Sequence, residues 1–243
     1  MSAYRDLADV YDTLFPARPE RLRFARRLLP TVGGEVLDIG CATGGLALQL
    51  AAAGYTATAV DANPEMIRMA SGRAQAEGLA VRFHVMDMRH VSTVLADQRF
   101  NLILCLGNTL VHLEDAPTIG AFLRSCSGLL SADGTLVLQH ILSERHIAGT
   151  ARPAPVLDKG VVRLSRSSTY LPHRHRVAFT TEIHHKDTGQ TMSDTTQLYP
   201  LTTAELLDML PACGLALTGR YADFGYKPVG PEDEAHIAVL RPV

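Results

Sequence analysis

The chain is poor in cysteine, nearly neutral, and has no long apolar run. Each shortage removes a class of function. Its 243 residues include four cysteines: Cys41, Cys105, Cys126 and Cys213. None stands in a Cys-x-x-Cys pair, which argues against a zinc site. Four reduced, mostly buried thiols are expected instead. A formal net charge of −2 leaves no basic excess to make nucleic acid a main partner. No apolar stretch reaches the length of a membrane span. The first residues, Met1-Ser2-Ala3-Tyr4-Arg5-Asp6, are too polar for a signal peptide, so a cytoplasmic location is expected. There is no internal repeat and no low-complexity tract. What remains, 20% charged and 47% hydrophobic residues, is the balance of a soluble globular enzyme with a sizeable core.

Periodicity supplies the order of elements. Tyr4, Leu7, Ala8 and Tyr11 share one helical face. Pro16 and Pro19 interrupt it, and Leu22 to Leu29 resume it with Arg21, Arg23, Arg26 and Arg27 in solvent. Strands are expected at 35–39, 56–60, 81–86, 100–106 and 135–140, ending near Ile39, Asp61, Asp87, Leu106 and His140. Helices are expected over 46–53, 64–77 (capped by Asn63, stopped by Gly78) and 117–130. Asp133-Gly134 reads as a turn. Alternating strand and helix over 35–140 imply parallel βαβ units, hence a doubly wound α/β sheet with ligands at the strand carboxyl ends. The rhythm changes after Ile141. Segments 161–170, 176–185 and 191–199 alternate as strands, the last two joined by a turn at Lys186-Asp187-Thr188-Gly189. No strong helix is expected before Thr203, which reads as a cap. Strands 215–221 and 235–240 close the chain. Residues 1–141 and 201–243 thus form a core, and 142–200 an antiparallel insert.

The most informative run is Val36-Leu37-Asp38-Ile39-Gly40-Cys41-Ala42-Thr43-Gly44-Gly45. It is a strand, a turn of small residues, and a helix start. Such a turn lets a ligand approach the backbone, and the helix offers free N–H groups. Asp38 at the strand tip would repel a pyrophosphate and attract an ammonium or sulfonium group. A nicotinamide-binding fingerprint fits poorly, because Ala42 stands at its second glycine and an acid precedes it. The run Asp38-x-Gly40-x-Ala42-x-Gly44 resembles motif I of the class I S-adenosylmethionine-dependent methyltransferases, with Ala42 in place of the middle glycine. That resemblance implies a Rossmann-like, mostly parallel seven-stranded sheet and S-adenosyl-L-methionine as cofactor.

Further residues extend the resemblance. Asp61, 21 residues after Gly40, has the spacing of a carboxylate accepting from ribose hydroxyls; a helix-capping role is the alternative. Ala62 and Met66 would pack on the adenosine, with Met66 equally suited to the core. In the resembling family an acid at Asp87 accepts from the adenine amino group, and the N–H of Met88 bonds the ring. An aspartate that merely closes a turn is the plain alternative. The run Leu106-Gly107-Asn108-Thr109-Leu110-Val111-His112-Leu113 resembles the pattern of glycine N-methyltransferase-like small-molecule enzymes. It lacks the Asn/Asp-Pro-Pro-aromatic tetrad used to grip a flipped base, and no carboxylate cluster for a divalent metal accompanies it. Tyr11, in Tyr11-Asp12-Thr13-Leu14-Phe15, would help close the cofactor pocket or else anchor its helix.

The expected reaction is in-line displacement at the sulfonium methyl by an N or O nucleophile of a small molecule. The protein supplies alignment and exclusion of water. A general base is needed only if the nucleophile arrives protonated, and His112, His140 and Tyr11 are the candidates. No motif places an arginine for the acceptor; Arg163, Arg166, Arg174 and Arg176 are all candidates. The insert reads as an acceptor lid or a subunit contact, which leaves a homo-oligomer open. A non-catalytic S-adenosylmethionine sensor is the alternative function.

Overall fold

The computed structural model describes residues 10–29, 33–141, 143–151, 153–230, 233 and 235–243. The expected face of Tyr4, Leu7 and Ala8 lies outside them. Five strands come first: β1 (Glu35–Ile39), β2 (Thr56–Asp61), β3 (Val81–Val85), β4 (Phe100–Cys105) and β5 (Leu130–Ile141). Four more, β6 (Leu157–Lys159), β7 (Val162–Leu171), β8 (Arg176–His185) and β9 (Thr191–Leu198), follow. The last two are β10 (Leu215–Tyr221) and β11 (Ala235–Pro242). Seven of them form one sheet in the order β10-β11-β5-β4-β1-β2-β3, and β6 to β9 form a second in sequence order. In the large sheet β1, β2, β3, β4 and β5 pair in parallel. Strands β10 and β11 are antiparallel. The chain runs outward through β2 and β3, then returns to place β4 on the other side of β1. That reversal opens a crevice at the carboxyl ends of β1 and β4.

The central strands are apolar on both faces because helices cover both. Leu37, Leu102, Ile103, Leu136 and Leu138 are fully buried. One face packs on Phe24 and Ala25 of the helix Pro19–Leu28 and on Leu46 and Leu50 of the helix Gly45–Ala52. The other packs on Ile119, Phe122, Leu123 and Cys126 of the helix Ala116–Leu129. The helix Pro64–Glu77 has the local signals that fix its ends. The Asn63 side chain accepts from Glu65 N, proline stands in its first turn, and Gly78 closes it in the left-handed conformation. All four cysteines are buried free thiols. Among the described residues no helix is long and apolar enough to cross a membrane.

Several expectations are corrected here. Asp133-Gly134 does not interrupt a strand; β5 is continuous and shifts register against β4 between Phe100 and Leu102. A helix at Ser143–Ile147 and the short strand β6 open the insert ahead of its three long strands, both too brief to show a period. The turn at Met88–His90 and the helix Val91–Val94 are equally short. The cap of the helix Thr203–Met209 is Thr202, whose hydroxyl accepts from Glu205 N. Arg21 is not in solvent: its guanidinium stacks over Phe224 at 5.4 Å, and its Nε is buried without a hydrogen-bond partner.

Candidate active site

The Gly-rich turn is built from backbone contacts that only small residues allow. Gly40 N and Cys41 N both donate to Val60 O, at 2.8 and 3.1 Å, and tie the turn to β2. Gly40 has φ 73°, and a Cβ there would lie 2.5 Å from Thr109 Oγ1 and 2.6 Å from Thr109 Cγ2. The glycine therefore serves the β1–β4 junction itself, besides any ligand. Gly44, at φ 74°, starts the helix Gly45–Ala52, and a Cβ there would press on Ala70 and Phe83. Ala42 also takes a left-handed backbone, φ 49°. The cost for a non-glycine residue is roughly 1 kcal/mol.

Asp38 is 5% exposed. Burial pushes its carboxyl up to about 7, Arg21 acts against that, and Asp61 adds to it. An acid held this way sits beside the turn at a net electrostatic cost, which a cationic ligand would offset. Asp61 is clamped at the end of β2. Its Oδ2 accepts from Ala42 N and its Oδ1 from Asn63 N, both at 2.9 Å. Burial raises its pKa, and the two backbone donors and His112 lower it. It therefore both shapes the turn and keeps lone pairs for a further donor. Ala62 beside it is exposed, and Met66 is 3% exposed among core residues.

The segment after β4 bends through two left-handed residues, Gly107 at φ 71° and Asn108 at φ 73°. Asparagine tolerates that conformation and uses its side chain locally. Its Oδ1 accepts from Ile141 N at 2.9 Å, and its own N–H donates to Gln139 O. Gly107 N donates to Gln139 Oε1, and Thr109 Oγ1 donates to Leu106 O at 2.7 Å. This run locks the tips of β4 and β5 and carries His112 out toward Asp61. Burial lowers the His112 pKa and Asp61 partly restores it. The imidazole is neutral near pH 7 and open at one side.

The other base candidates sit differently. His140 is 0% exposed, its ring 4.4 Å from that of His236 on the neighbouring strand. No hydrogen bond reaches either ring. Burial lowers His140 to about 3 and His236 to about 4. His140 faces a core partner and offers nothing to an acceptor in the cleft. Tyr11 lies in the field of Arg21, Asp61 and Asp38, and burial raises it to about 12. It is a neutral hydrogen-bond donor at pH 7. Asp87 has both oxygens on Arg89, at 2.7 to 3.0 Å, and caps the turn at Met88–His90. That is the turn-closing arrangement. An adenine amino group would have to share those oxygens. Met88 packs partly buried against the main core.

Two residues to which the sequence assigned no site role, Asp12 and Arg21, also join the site. Asp12 accepts from Thr43 Oγ1 at 2.7 Å and from Arg73 Nη1 at 2.8 Å, clasping the Tyr11 segment over the Gly-rich turn. Arg21 brings a guanidinium into the field of Asp38 and Tyr11. Its place in a run of arginines on one helix concealed it. An open groove of about 600 Å³, lined by His175, Pro200, Thr202, Glu205, Asp208 and Met209, lies at the base of the insert and contains none of the residues above. Among the described residues no three His, Cys, Asp or Glu side chains are grouped to hold a metal.

Residues 36–134 match the family described as a methyltransferase domain. A ubiquinone biosynthesis O-methyltransferase from Xanthomonas axonopodis pv. citri is 32% identical over 125 residues, 51% of this chain and 50% of the relative. One from Xylella fastidiosa is 32% identical over 130 residues, 53% of this chain and 50% of the relative. The chain thus matches about half the length of these curated relatives. Among solved structures, the CcbJ methyltransferase from Streptomyces caelestis aligns with TM-score 0.83 and 23% identity over 100% of this chain and 98% of that one. An S-adenosylmethionine-dependent methyltransferase from Clostridium acetobutylicum aligns with TM-score 0.81 and 17% identity over 99% of both chains. These two share the fold with this chain. None of these likenesses assigns it to the glycine N-methyltransferase-like group.

Proposed function

We propose that this chain, whose residues 36–134 match a methyltransferase domain, is a class I enzyme that transfers the methyl group of S-adenosylmethionine to an O or N atom of a small molecule. The observation that carries the reading is the buried Asp38 beside a backbone turn at the β1–β4 crevice, an anion whose cost a cationic ligand would offset. When bound, the cofactor supplies an activated methyl on a sulfonium. The chain's own residues do the rest. Asp38 takes the ammonium of the cofactor, and Arg21, with a free donor nearby, takes its carboxylate. Asp61 accepts from the ribose hydroxyls while holding Ala42 N. Gly40, Cys41, Ala42 and Gly44 form the floor, and Leu106, Gly107 and Asn108 bound the methyl end. Ala62, Met66, Asp87 and Met88 line the adenine side. Tyr11, clasped through Asp12, closes the pocket and excludes water.

His112 is the base in this reading, since it is neutral near pH 7 and stands beside Asp61. It would take the proton of a hydroxyl or ammonium acceptor, and the resulting imidazolium would be held by that carboxylate. Residues 142–200 act as the acceptor lid in this division of the chain, with the cytoplasm as its place of work.

Calorimetry with S-adenosylmethionine, S-adenosylhomocysteine and NAD tests the cofactor assignment. Binding of the first two and not the third is expected. Asp61→Ala should weaken both, because the ribose is common to them. Tight NAD binding, or unchanged affinity in a folded Asp61→Ala protein, would sink it. Turnover of a metabolite panel, read as S-adenosylhomocysteine release, then separates an enzyme from a sensor.

A further inference from the structure

The inner face of the insert is apolar at both ends and polar in the middle. At one end Val162, Leu164 and Ile183 are buried against Leu14, with Phe15 beside them. At the other, Val177 and Leu198 join the main core with Val111 and Leu113, and Tyr199 N donates to Val111 O at 2.9 Å. One anchor is thus the Leu14–Phe15 segment next to Tyr11 and the other is the segment that carries His112, and the middle of the sheet lies between them.

Side chains alternate along a strand, so Arg166 shares the face of Leu164, one period away. The pairing places Thr181 opposite Arg166 and Asp194 opposite Thr181. Thr181 and Asp194 share the faces of Ile183 and Met192, so all three point inward in one row. Burial follows the same alternation, with Asp194 half-buried between exposed Ser193 and Thr195. The guanidinium of Arg166 lies 5.8 Å from the Phe15 ring, and Phe15 packs on Tyr11 at 5.1 Å. Tyr11 in turn stands in the field of Asp38 and Asp61. The row thus reaches the cofactor side through two aromatic rings. Arg166 Nε is buried without a partner. No ion pair joins Arg166 to Asp194, and Asp194 has no partner among the described residues. Their backbones are two strand spacings apart, roughly 10 Å.

A cation and an anion held half-buried on one face of the sheet, and not paired with each other, leave each with unmet hydrogen-bonding capacity. We infer that Arg166 and Asp194 form an acceptor subsite, in which Arg166 binds an anionic group and Asp194 a hydroxyl or ammonium at the other end of the molecule. The acceptor class is therefore a small anion carrying a donor group several bonds away. This assignment rests on the proposed function. Burial without a compensating acid lowers the Arg166 pKa, which agrees with a cation awaiting a partner.

The test uses full-length protein saturated with S-adenosylhomocysteine and needs no known acceptor. The probes are 6-aminohexanoate, hexanoate and 3-(4-hydroxyphenyl)propanoate, each with its primary amide, titrated by calorimetry. Carboxylates are expected to bind at least tenfold more tightly than their amides. Arg166→Ala should erase that preference, and Arg166→Lys should keep part of it. Asp194→Asn should weaken 6-aminohexanoate and leave hexanoate unchanged. All three variants should keep their unfolding midpoint and their S-adenosylhomocysteine affinity. A wild-type protein that does not distinguish carboxylate from amide would overturn the subsite. So would a preference that survives Arg166→Ala, or an Arg166→Ala protein that loses S-adenosylhomocysteine equally. Failure of the wild type to bind S-adenosylhomocysteine at all is a different result: it overturns the proposed function, and the subsite falls with it.

Discussion

Ala42 and Gly40 show how much of this site is decided by single backbone angles. Ala42 bears a left-handed φ of 49° where a glycine would carry no steric cost. Ala42→Gly should therefore offset its larger unfolded-state entropy and stabilise the protein by up to about 1 kcal/mol, read as a rise in urea midpoint. Gly40→Ala places a Cβ against Thr109 and should destabilise by about 1 to 3 kcal/mol. If that contact is the cause, Thr109→Ala in the same chain restores part of the loss. Equal losses in the single and double variants would show that backbone conformation alone is responsible. Asp38 gives a pH signature. Its folded pKa of about 7 exceeds the usual carboxyl value of 3.8. The folded state thus holds the proton longer than the unfolded chain, and the Asp38 contribution to stability falls as pH rises from about 4 to 7. A bound cation favours the charged form, so S-adenosylmethionine affinity should rise from pH 5.5 to 7, approaching tenfold per unit. Asp38→Asn should flatten that slope in calorimetry.

At the scale of elements, the Tyr11 segment and the insert are separate parts with separate effects. Asp12 ties the first to Thr43 and Arg73. The pair is partly exposed, so its worth is modest. Asp12→Ala should weaken cofactor binding by about fivefold, the weight of one hydrogen bond, and speed proteolysis near residue 15. Unchanged affinity would show that the clasp is only a surface contact. Within the insert, Tyr199 is 7% exposed, its hydroxyl donates to Glu205 Oε1 at 2.5 Å, and Arg176 lies over its ring. It anchors the insert to the core, so changes there reach stability before acceptor use. Arg174 is exposed on the turn at Pro172–Arg174. Arg174→Ala should leave both cofactor affinity and unfolding midpoint unchanged.

For the whole molecule, the buried His140–His236 pair works against Asp38. The fold lowers both histidines to about 3 and 4, below the usual 6.5. Between those values and 6.5 the unfolded chain binds more protons than the folded one. Their contribution is therefore complete above pH 6.5 and lost as pH falls toward 4. His236→Phe should narrow the difference in urea midpoint between pH 7.5 and pH 5. An unchanged difference would place the acid sensitivity elsewhere.

Local chemistry was enough to mark the strand ends, the Asn63-capped helix and the small-residue turn. A period of two or 3.6, a cap and a glycine all act within a few residues, and the sequence displays them directly. The antiparallel insert was legible for the same reason, through its alternation and its turn at residues 186–189. Long-range packing decided the rest. His112 follows the tip of β4 and His140 lies near the end of β5, but only the fold turns one toward Asp61 and the other onto His236. Arg21 belongs to a run of helical arginines, and the burial of one of them depends on Phe224, two hundred residues away in the chain. The row from Arg166 to Asp194 exists only because β7, β8 and β9 pair in one register. A strand shifted by a single residue would turn it outward, because successive side chains point to opposite faces.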